Sequence, residues 1–540
     1  MSKQKLNYFP LFLIVCLSLI FSLLRLNAIS VTYVDDAFIF MRFSENLVNG
    51  WGFVWNPGET RVEGFSSFSY VIILAIIKFL GFSLPNVAIW VGILFSFLTL
   101  FITYKIAFLV FQKQKFWMIL FIGFLGISPV FLTWTLSGME TLLFTTLILL
   151  AVLGYLYYSQ GVLAGWVVGL IFGLAVLTRP ETIAYWLWVL IFDAVSRIFR
   201  KEKLFTPGWI QMGVTFLIIF IPFFLWRWSY FGQLLPNTYY AKSGAGLIQY
   251  WGGFLYLLKS IRDIFGTLGW LLLGLLFFIR LSASKRKHLV FLGSMVVLSW
   301  GIALVEGGDH FRNARFLLPT LPLLFLILAD GLVDFLERIS FDYSNWRSNL
   351  FPAFCLSILL LFSWSSSLQY EQISTGFQNL VYSKTPSIPR ANNKQFETMQ
   401  EWSLGYVLMG QALQKLAHSG ELIAAVPVGA IGYYSGIRVI DMVGLVDPVI
   451  ALEPFDPNYI ATWRPGHDKG NGEYILSQQP DYIQLIDYLT SEPFEGLDAQ
   501  AQQYKYIVEI WGLQSFHDNY SFFPVQIEGG WFYNLYRRNK

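Results

Sequence analysis

The sequence predicts a polytopic α-helical membrane protein of about eleven transmembrane helices, followed by a C-terminal soluble α/β domain on the outer face. Three observations carry that reading. Of 540 residues, 55% are hydrophobic and only 13% are charged, about half the ~25% of soluble globular chains. Apolar runs of about 17–25 residues recur along the chain, each long enough to cross a ~30 Å hydrocarbon core. After residue 368 the composition turns polar and richer in Gly and Pro. A soluble enzyme is excluded.

The expected spans are 9–28, 87–111, 116–134, 141–158, 162–178, 183–199, 209–228, 266–281, 288–305, 315–335 and 350–367. The N-terminus has a basic start like a signal peptide, but its apolar run is long and no small-residue cleavage pattern follows. It reads as an uncleaved first span. Segment 66–81 is short and soon followed by Pro85, so it reads as a juxtamembrane or re-entrant helix. The positive-inside rule supports this choice. With Lys3 and Lys5 cytoplasmic, the inner connections carry Lys113, Lys115, Arg197, Arg200, Lys201 and Lys203. They also carry Arg280, Lys285, Arg286, Lys287, Arg338 and Arg347. Eleven spans then place the C-terminus outside a multi-pass inner (cytoplasmic) membrane protein.

The expected division is a membrane module, 1–367, with a first outer loop at 29–86, and an outer domain, 368–540. In the latter, ELIAAVPVGAIGYYSG and RVIDMVGLVD read as a strand, a turn and a second strand. PDYIQLI reads as a further strand after a helix. A net charge of +3 over this length gives no case for nucleic acid binding. Cys16 and Cys355 lie in separate apolar runs, so no disulfide framework or Cys-based metal site follows. Walker, dinucleotide and HExxH patterns are absent, which argues against ATP-driven, redox and zinc-protease chemistry.

Unusual polar residues gather in the outer loops. Asp35 and Asp36 open a plausible amphipathic helix just after the first span. As helix-start carboxylates they would serve as cap and dipole partner. Carboxylates this close to hydrocarbon are costly and usually serve a function. Arg179 (TRPE), Lys242 (PNTYYAK), Arg312 and Arg315 (GGDHFRNAR) are cations on the side that is otherwise poor in them. Singly each reads as a snorkelling side chain. Together with Glu140, Glu181, Asp309 and His310, they suit a lipid-borne phosphate. Asn237 and Tyr240 accompany Lys242 as candidate substrate residues; the abundant aromatics, Tyr239 and Tyr240 among them, read mostly as interfacial belts, with the sequence leaving open which of them stack on a sugar ring. In PGHDKGNGEY (465–474), His467, Asp468 and Lys469 have the makeup of a sugar-binding loop.

These motifs carry a resemblance. DDAFIFMRFSENL, NGWGFVWNPGE, RVEGF, SGMET, LTRPE, LPNTYYAK and GGDHFRNARFLLP occur in order, followed by GYYSGIRVIDMVGLVDP and PGHDKGNGEYILSQQPDYI. Over essentially the whole chain the sequence resembles the GT-C superfamily of glycosyltransferases that use polyprenyl-phosphate sugars. Within it, the chain is most similar to the terminal arabinofuranosyltransferases of actinobacteria and their bacterial relatives. The resemblance implies an acidic catalytic base, carried onto Asp35 or Asp36. It also implies cations around the lipid phosphate, carried onto Arg179, Lys242, Arg312 and Arg315. The implied partners are a polyprenyl-phosphate sugar donor, an envelope polysaccharide or glycolipid acceptor, and the bilayer.

The chemistry fits these residues. A sugar on a lipid phosphate is already activated, so the enzyme needs a base for the acceptor hydroxyl and cations for the departing phosphate. Asp35 is the expected base, with Asp36 orienting it, and direct attack inverts the anomeric carbon. Alternatively, the pair would hold a divalent cation such as magnesium or manganese. The competing readings are an oligosaccharyltransferase or ligase of the same architecture, a lipid-linked sugar flippase or transporter, and a non-enzymatic scaffold. A transporter would place charges in mid-bilayer, whereas these lie at one surface.

Overall fold

The computed structural model describes residues 8–28, 33–111, 115–280, 283–341, 346–381, 399–456, 464–527 and 529–539. Lys3, Lys5 and Lys113 lie outside these residues, as do the side chains of Lys285, Arg286 and Arg347 and the stretch 382–398 of the expected outer domain.

The chain opens with α1 (Phe9–Leu26), the loop helix α2 (Asp35–Val48) and α3 (Phe68–Phe79). It continues through α4 (Leu84–Val110), α5 (Lys115–Ile127), α6 (Pro129–Leu136), α7 (Thr141–Ser159), α8 (Gly165–Val176) and α9 (Thr182–Phe199). Next come α10 (Pro207–Phe231), the short α11 (Asn237–Ala241), α12 (Leu247–Gly269) with a 3-10 extension at Trp270–Phe278, and α13 (Ala283–Val305). The helical module closes with α14 (Leu321–Arg338), α15 (Trp346–Ser365) and α16 (Leu368–Val381). Local sequence explains many of the ends. Prolines occupy the first turn of α1, α4, α6, α10 and α14, where the missing N–H has no helical partner to lose. Ser128 and Thr206 cap α6 and α10 by accepting from Phe131 and Trp209 N–H. At Ser128–Pro129 the chain turns by 52° between α5 and α6.

Among the described residues, eight helices are long and apolar enough to cross a membrane, or nine if α5 and α6 form one bent span. Eleven were expected, and the shortfall has physical causes. Helix α8 has only 12 residues. Helix α14 carries Asp330, Asp334, Glu337 and Arg338. The third missing span is the bent α5–α6 pair, whereas the expected span 266–281 is counted, as the second part of a longer segment, Leu247–Phe278. That segment kinks at Gly266, whose φ of 72° favours glycine, and where any Cβ would meet the Ser363 carbonyl oxygen at 2.2 Å. Segment 66–81, expected as a juxtamembrane or re-entrant helix, holds α3, an apolar helix of 12 residues that is too short to count among the spans.

Helix α16 packs back on α1. Arg25 Nε donates to Gln372 Oε1 at 2.8 Å, and Asn27 Nδ2 donates to the Gly376 carbonyl at 3.0 Å. After α17 (Met399–Leu416) comes a five-stranded sheet of order β2-β1-β3-β5-β4. Its strands are β1 (Leu422–Ala425), β2 (Arg438–Asp441), β3 (Tyr482–Ile483), β4 (Tyr520–Gln526) and β5 (Phe532–Arg538). Strand β1 pairs in parallel with β2 and β3, while β5 runs antiparallel to β3 and β4. The expected turn between β1 and β2 is instead a helix, α18 (Gly429–Ser435), as parallel strands require a crossover. The remaining helices are α19 (Pro448–Ala451), α20 (Gly472–Ser477), α21 (Lys505–Gly512) and α22 (Gln514–Asn519). The apolar strand β1 is buried along its whole length, as a central parallel strand should be.

Candidate active site

Helix α2 lies between the membrane module and the sheet domain, and its polar residues divide the work. Asp35 accepts the Gly429 and Ala430 N–H groups, one on each carboxylate oxygen and both at 2.8 Å. The approach is so close that a Cβ on Gly429 would meet the Asp35 carbonyl oxygen at 2.1 Å. Two turns on, Arg42 donates to the carbonyls of Gly432, Ile437 (2.9 Å) and Trp55 (3.0 Å), and to Asn56 Oδ1 (2.9 Å). Asn56 in turn exchanges hydrogen bonds with both backbone groups of Val439 on β2. Both ends of α18 are therefore held by one face of α2.

Asp36 is different. It is half-buried, and among the described residues no hydrogen bond reaches its carboxylate. It borders two cavities. The first, of about 350 Å³, is walled by Asp36, Glu140, Arg179, Glu181, Lys242 and Arg315, with Phe40, Tyr239 and Glu306 completing it. Arg179 is clamped between Glu140 (2.9 Å) and Glu181 (2.5 Å), and lies over Phe316. Burial opposes charge on Glu181, but the Arg179 guanidinium outweighs it and holds the carboxyl below its ordinary range. Burial and the adjacent Glu181 push Glu306 well up, so the proton of that pair resides on Glu306. Arg315 pairs with Asp309 at 2.7 Å. The Lys242 ammonium has no ion pair or hydrogen bond among the described residues, so it is the cation of this cavity with charge to spare.

The second cavity, of about 280 Å³, lies under the sheet domain and includes Asp35, Asp36, His310, His467, Asp441 and Asp487. Trp402, Tyr406, Tyr504 and Tyr506 supply aromatic walls. It sits at the carboxyl ends of the parallel strands, the place where open α/β sheets bind ligands. The His310 and His467 rings lie 4.8 Å apart. Burial pushes both imidazoles down, His467 to about 4, so they are neutral at pH 7. Burial pushes Asp35 up to about 7 and Asp441 and Asp487 up to about 6. Asp36 is also raised by burial, against the opposing pull of Lys242 and Arg315. This cavity is acidic and aromatic, whereas the first mixes three cations with four carboxylates and, among the described residues, leaves the Lys242 ammonium unpaired.

Arg312 parts company with the other three expected phosphate cations. Asn313 and Ala314 adopt left-handed backbone, with φ of 67° and 49°. Asn313 is pinned by its N–H to Asp263 (2.8 Å) and by its carbonyl to Trp134 Nε1 (2.6 Å). Arg315 accordingly reaches the first cavity, whereas Arg312 lines a third. Three expected substrate residues are instead ties between layers. Asn237 Nδ2 donates to the Gly444 and Leu445 carbonyls at 2.8 and 3.0 Å. Lys469 Nζ donates to the Tyr240 and Ala451 carbonyls at 2.8 and 2.7 Å. Tyr240 packs with Ala241, Leu445 and Ala451, and it is Tyr239 that faces the first cavity. Asp468 accepts the Arg464 N–H at 2.7 Å within its own loop.

Sequence reasoning passed over Glu306, Asp441 and Asp487. Glu306 directly follows an apolar helix, the same signal that marked Asp35 and Asp36. Asp441 ends β2, and Asp487 follows β3 closely. The donor set does not suit a divalent cation held by the Asp35–Asp36 pair. N–H groups already occupy both Asp35 oxygens, and no cluster of three or more His, Cys, Asp or Glu ligands occurs among the described residues.

The family described as Domain of unknown function (DUF8728) matches residues 392–531, essentially the sheet domain. No curated protein matches the chain. Among solved structures, ArnT from Cupriavidus metallidurans in the apo state is similar at 12% identity and a TM-score of 0.50, with 81% of this chain and 86% of that chain covered. The archaeal oligosaccharyltransferase AglB from Archaeoglobus fulgidus, in complex with an inhibitory peptide and a dolichol-phosphate, is similar at 14% identity and a TM-score of 0.50. There the coverage is 88% of this chain and 69% of the other. At such identities the likeness is one of fold, and the fold is that of the GT-C glycosyltransferases and oligosaccharyltransferases.

Proposed function

We propose that this chain is an inverting membrane glycosyltransferase that moves one sugar from a polyprenyl-phosphate donor to an envelope glycan or glycolipid at the outer face of the inner membrane. One observation supports the reading: Asp36, a carboxylate without a protein donor among the described residues, lines both a cavity that holds the unpaired Lys242 ammonium and an acidic, aromatic one. The donor phosphate lies in the first cavity against Lys242, with Arg179 and Arg315 contributing charge. The acceptor hydroxyl enters from the second. Asp36 takes the hydroxyl proton, the acceptor oxygen bonds to the anomeric carbon, and the carbon–oxygen bond to phosphate breaks. The polyprenyl phosphate leaves with the electron pair, its charge offset by the same cations. This gives Asp36 the role the sequence assigned first to Asp35, because Asp35 is engaged by α18.

The fold likeness to AglB favours a second reading, transfer of a whole lipid-linked glycan, with the same base and cations. Donor choice separates the two. A polyprenyl-phosphate pentofuranose such as arabinofuranose is the first donor to test, against other monosaccharides and a lipid-linked oligosaccharide. In that assay, Asp36→Asn should lose transfer by several orders of magnitude. Near-normal turnover in Asp36→Asn would sink the mechanism.

A further inference from the structure

The third cavity, of about 500 Å³, lies on the far side of loop 307–315 between α12 and α15. Its polar lining includes Lys259, Arg262 and Arg312. Among the described residues none of these three cations makes a side-chain hydrogen bond or an ion pair within 4 Å. Of the two carboxylates beside them, Asp309 is paired with Arg315 at 2.7 Å, while Asp263 accepts the Asn313 N–H at 2.8 Å and its single charge faces all three cations. Lys259 and Arg262 belong to the segment Leu247–Phe278, which is apolar enough to span a membrane. All three cations are exposed and share one carboxylate, Asp263, so the cavity carries an excess of positive charge that suits an anion from outside the chain. The flanking surface is greasy, with Leu258, Leu268, Leu361 and Phe362 all exposed. The cavity therefore opens where acyl or prenyl chains would lie. His310 and Phe311 line both this cavity and the second one, so the two adjoin at that pair and the second leads on to Asp36.

Resting on the glycosyl-transfer reading, we infer that the acceptor is itself an anionic lipid-linked sugar. Its lipid phosphate sits among Lys259, Arg262 and Arg312, and its glycan passes His310 and Phe311 into the acidic cavity. The charge pattern supports this order, because the second cavity, with four aspartates and neutral histidines, repels a phosphate but suits sugar hydroxyls. Donor and acceptor would thus be anchored in the same bilayer, with their phosphates on opposite sides of loop 307–315.

The test is a binding count on the full chain in detergent micelles with geranylgeranyl phosphate as the probe. Wild type should bind two equivalents. The triple variant Lys259→Gln, Arg262→Gln, Arg312→Gln should bind one, as should Lys242→Gln, and combining the two sets should abolish binding. Two equivalents retained by the triple variant with affinities within twofold of wild type would overturn the inference. Thermal melting checks that the triple variant is folded. The charge-keeping variant Lys259→Arg, Arg262→Lys, Arg312→Lys should retain both sites, and its loss of one would also count against the inference. If inorganic phosphate displaced the probe from this site at equal concentration, the site would be one for a free anion and the lipid assignment would fall. In transfer assays the triple variant should raise the acceptor KM at least tenfold and leave the donor KM within twofold. The binding count is independent of turnover, so its failure is distinguishable from failure of the Asp36 mechanism.

Discussion

Asp35 and Arg42 lie two turns apart on α2 and hold opposite ends of α18, Asp35 by accepting the Gly429 and Ala430 N–H groups and Arg42 by donating to the Gly432 carbonyl. The charges match the helix dipole, negative at its amino end and positive at its carboxyl end. This clamp fixes the sheet domain over Asp36. The residue next to the clamp is thereby held at the junction of two cavities, and its own carboxylate stays free for chemistry.

Breaking the clamp should destabilise the docked domain. Asp35→Ala strands two buried N–H groups, and Arg42→Ala strands several carbonyls, at about 1–3 kcal/mol for each unsatisfied group. Both should lower the melting temperature. Because both residues hold the same helix, the double variant should lose less than the sum of the single losses. Strict additivity in a double-mutant cycle would show that they act independently.

The free ammonium of Lys242 should matter more to the donor than the paired Arg179. Lys242→Gln should raise the donor KM roughly tenfold to a hundredfold, as expected for a charge-assisted contact. Arg179→Ala leaves Glu140 and Glu181 buried without their cation, so its main effect should be a fall in stability. Steady-state kinetics and thermal melting on the same preparations would check both. A change confined to the acceptor KM in Lys242→Gln would refute the assignment.

A base must be ionised to work, and burial holds Asp36 above the ordinary 3.8. The acid limb of kcat/KM should therefore fall at higher pH than for a free aspartate. Substituting Lys242 by Gln removes one of the cations that oppose that rise, so the limb should move to still higher pH. A limb that stayed fixed would separate Lys242 from Asp36.

Histidine protonation should weaken the protein in acid. The unfolded imidazole of His467 takes up a proton below its usual 6.5, while the folded one refuses it until about 4. The native state therefore loses stability as the pH falls through that window, by roughly 3 kcal/mol for His467 alone. Lys242 and Arg464 sharpen the penalty, while the Pro465 carbonyl and Asp309 soften it. Chemical denaturation between pH 7 and 4 should show a steeper loss in wild type than in His467→Gln.

Topology follows from the proposed site. In intact cells, a cysteine replacing the exposed Glu495 should react with a membrane-impermeant maleimide, whereas one replacing the exposed Lys203 should react only after permeabilisation. Labelling of the second from outside would invert the arrangement.

The sequence by itself determined the series of apolar helices, the sheet-bearing C-terminal part and the loops whose polar residues line the cavities. Those properties are written locally, in the length of apolar runs and in charges stranded beside them. It also picked out Asp35 and Asp36 as a pair, yet it gave no means of telling them apart. That distinction rests on α18, nearly 400 residues away in the chain, whose N–H groups reach one carboxylate and not the other. The same holds for Arg312 and Arg315, three residues apart in one motif. Two left-handed residues between them send one side chain to the Asp36 cavity and the other to the cavity beside α12. Asn237 and Lys469 read as substrate groups because amides and ammonium ions suit sugars, but the folded chain uses their donors to satisfy its own carbonyls. Which polar atoms remain unspent depends on contacts between distant segments, and only the tertiary structure decides it.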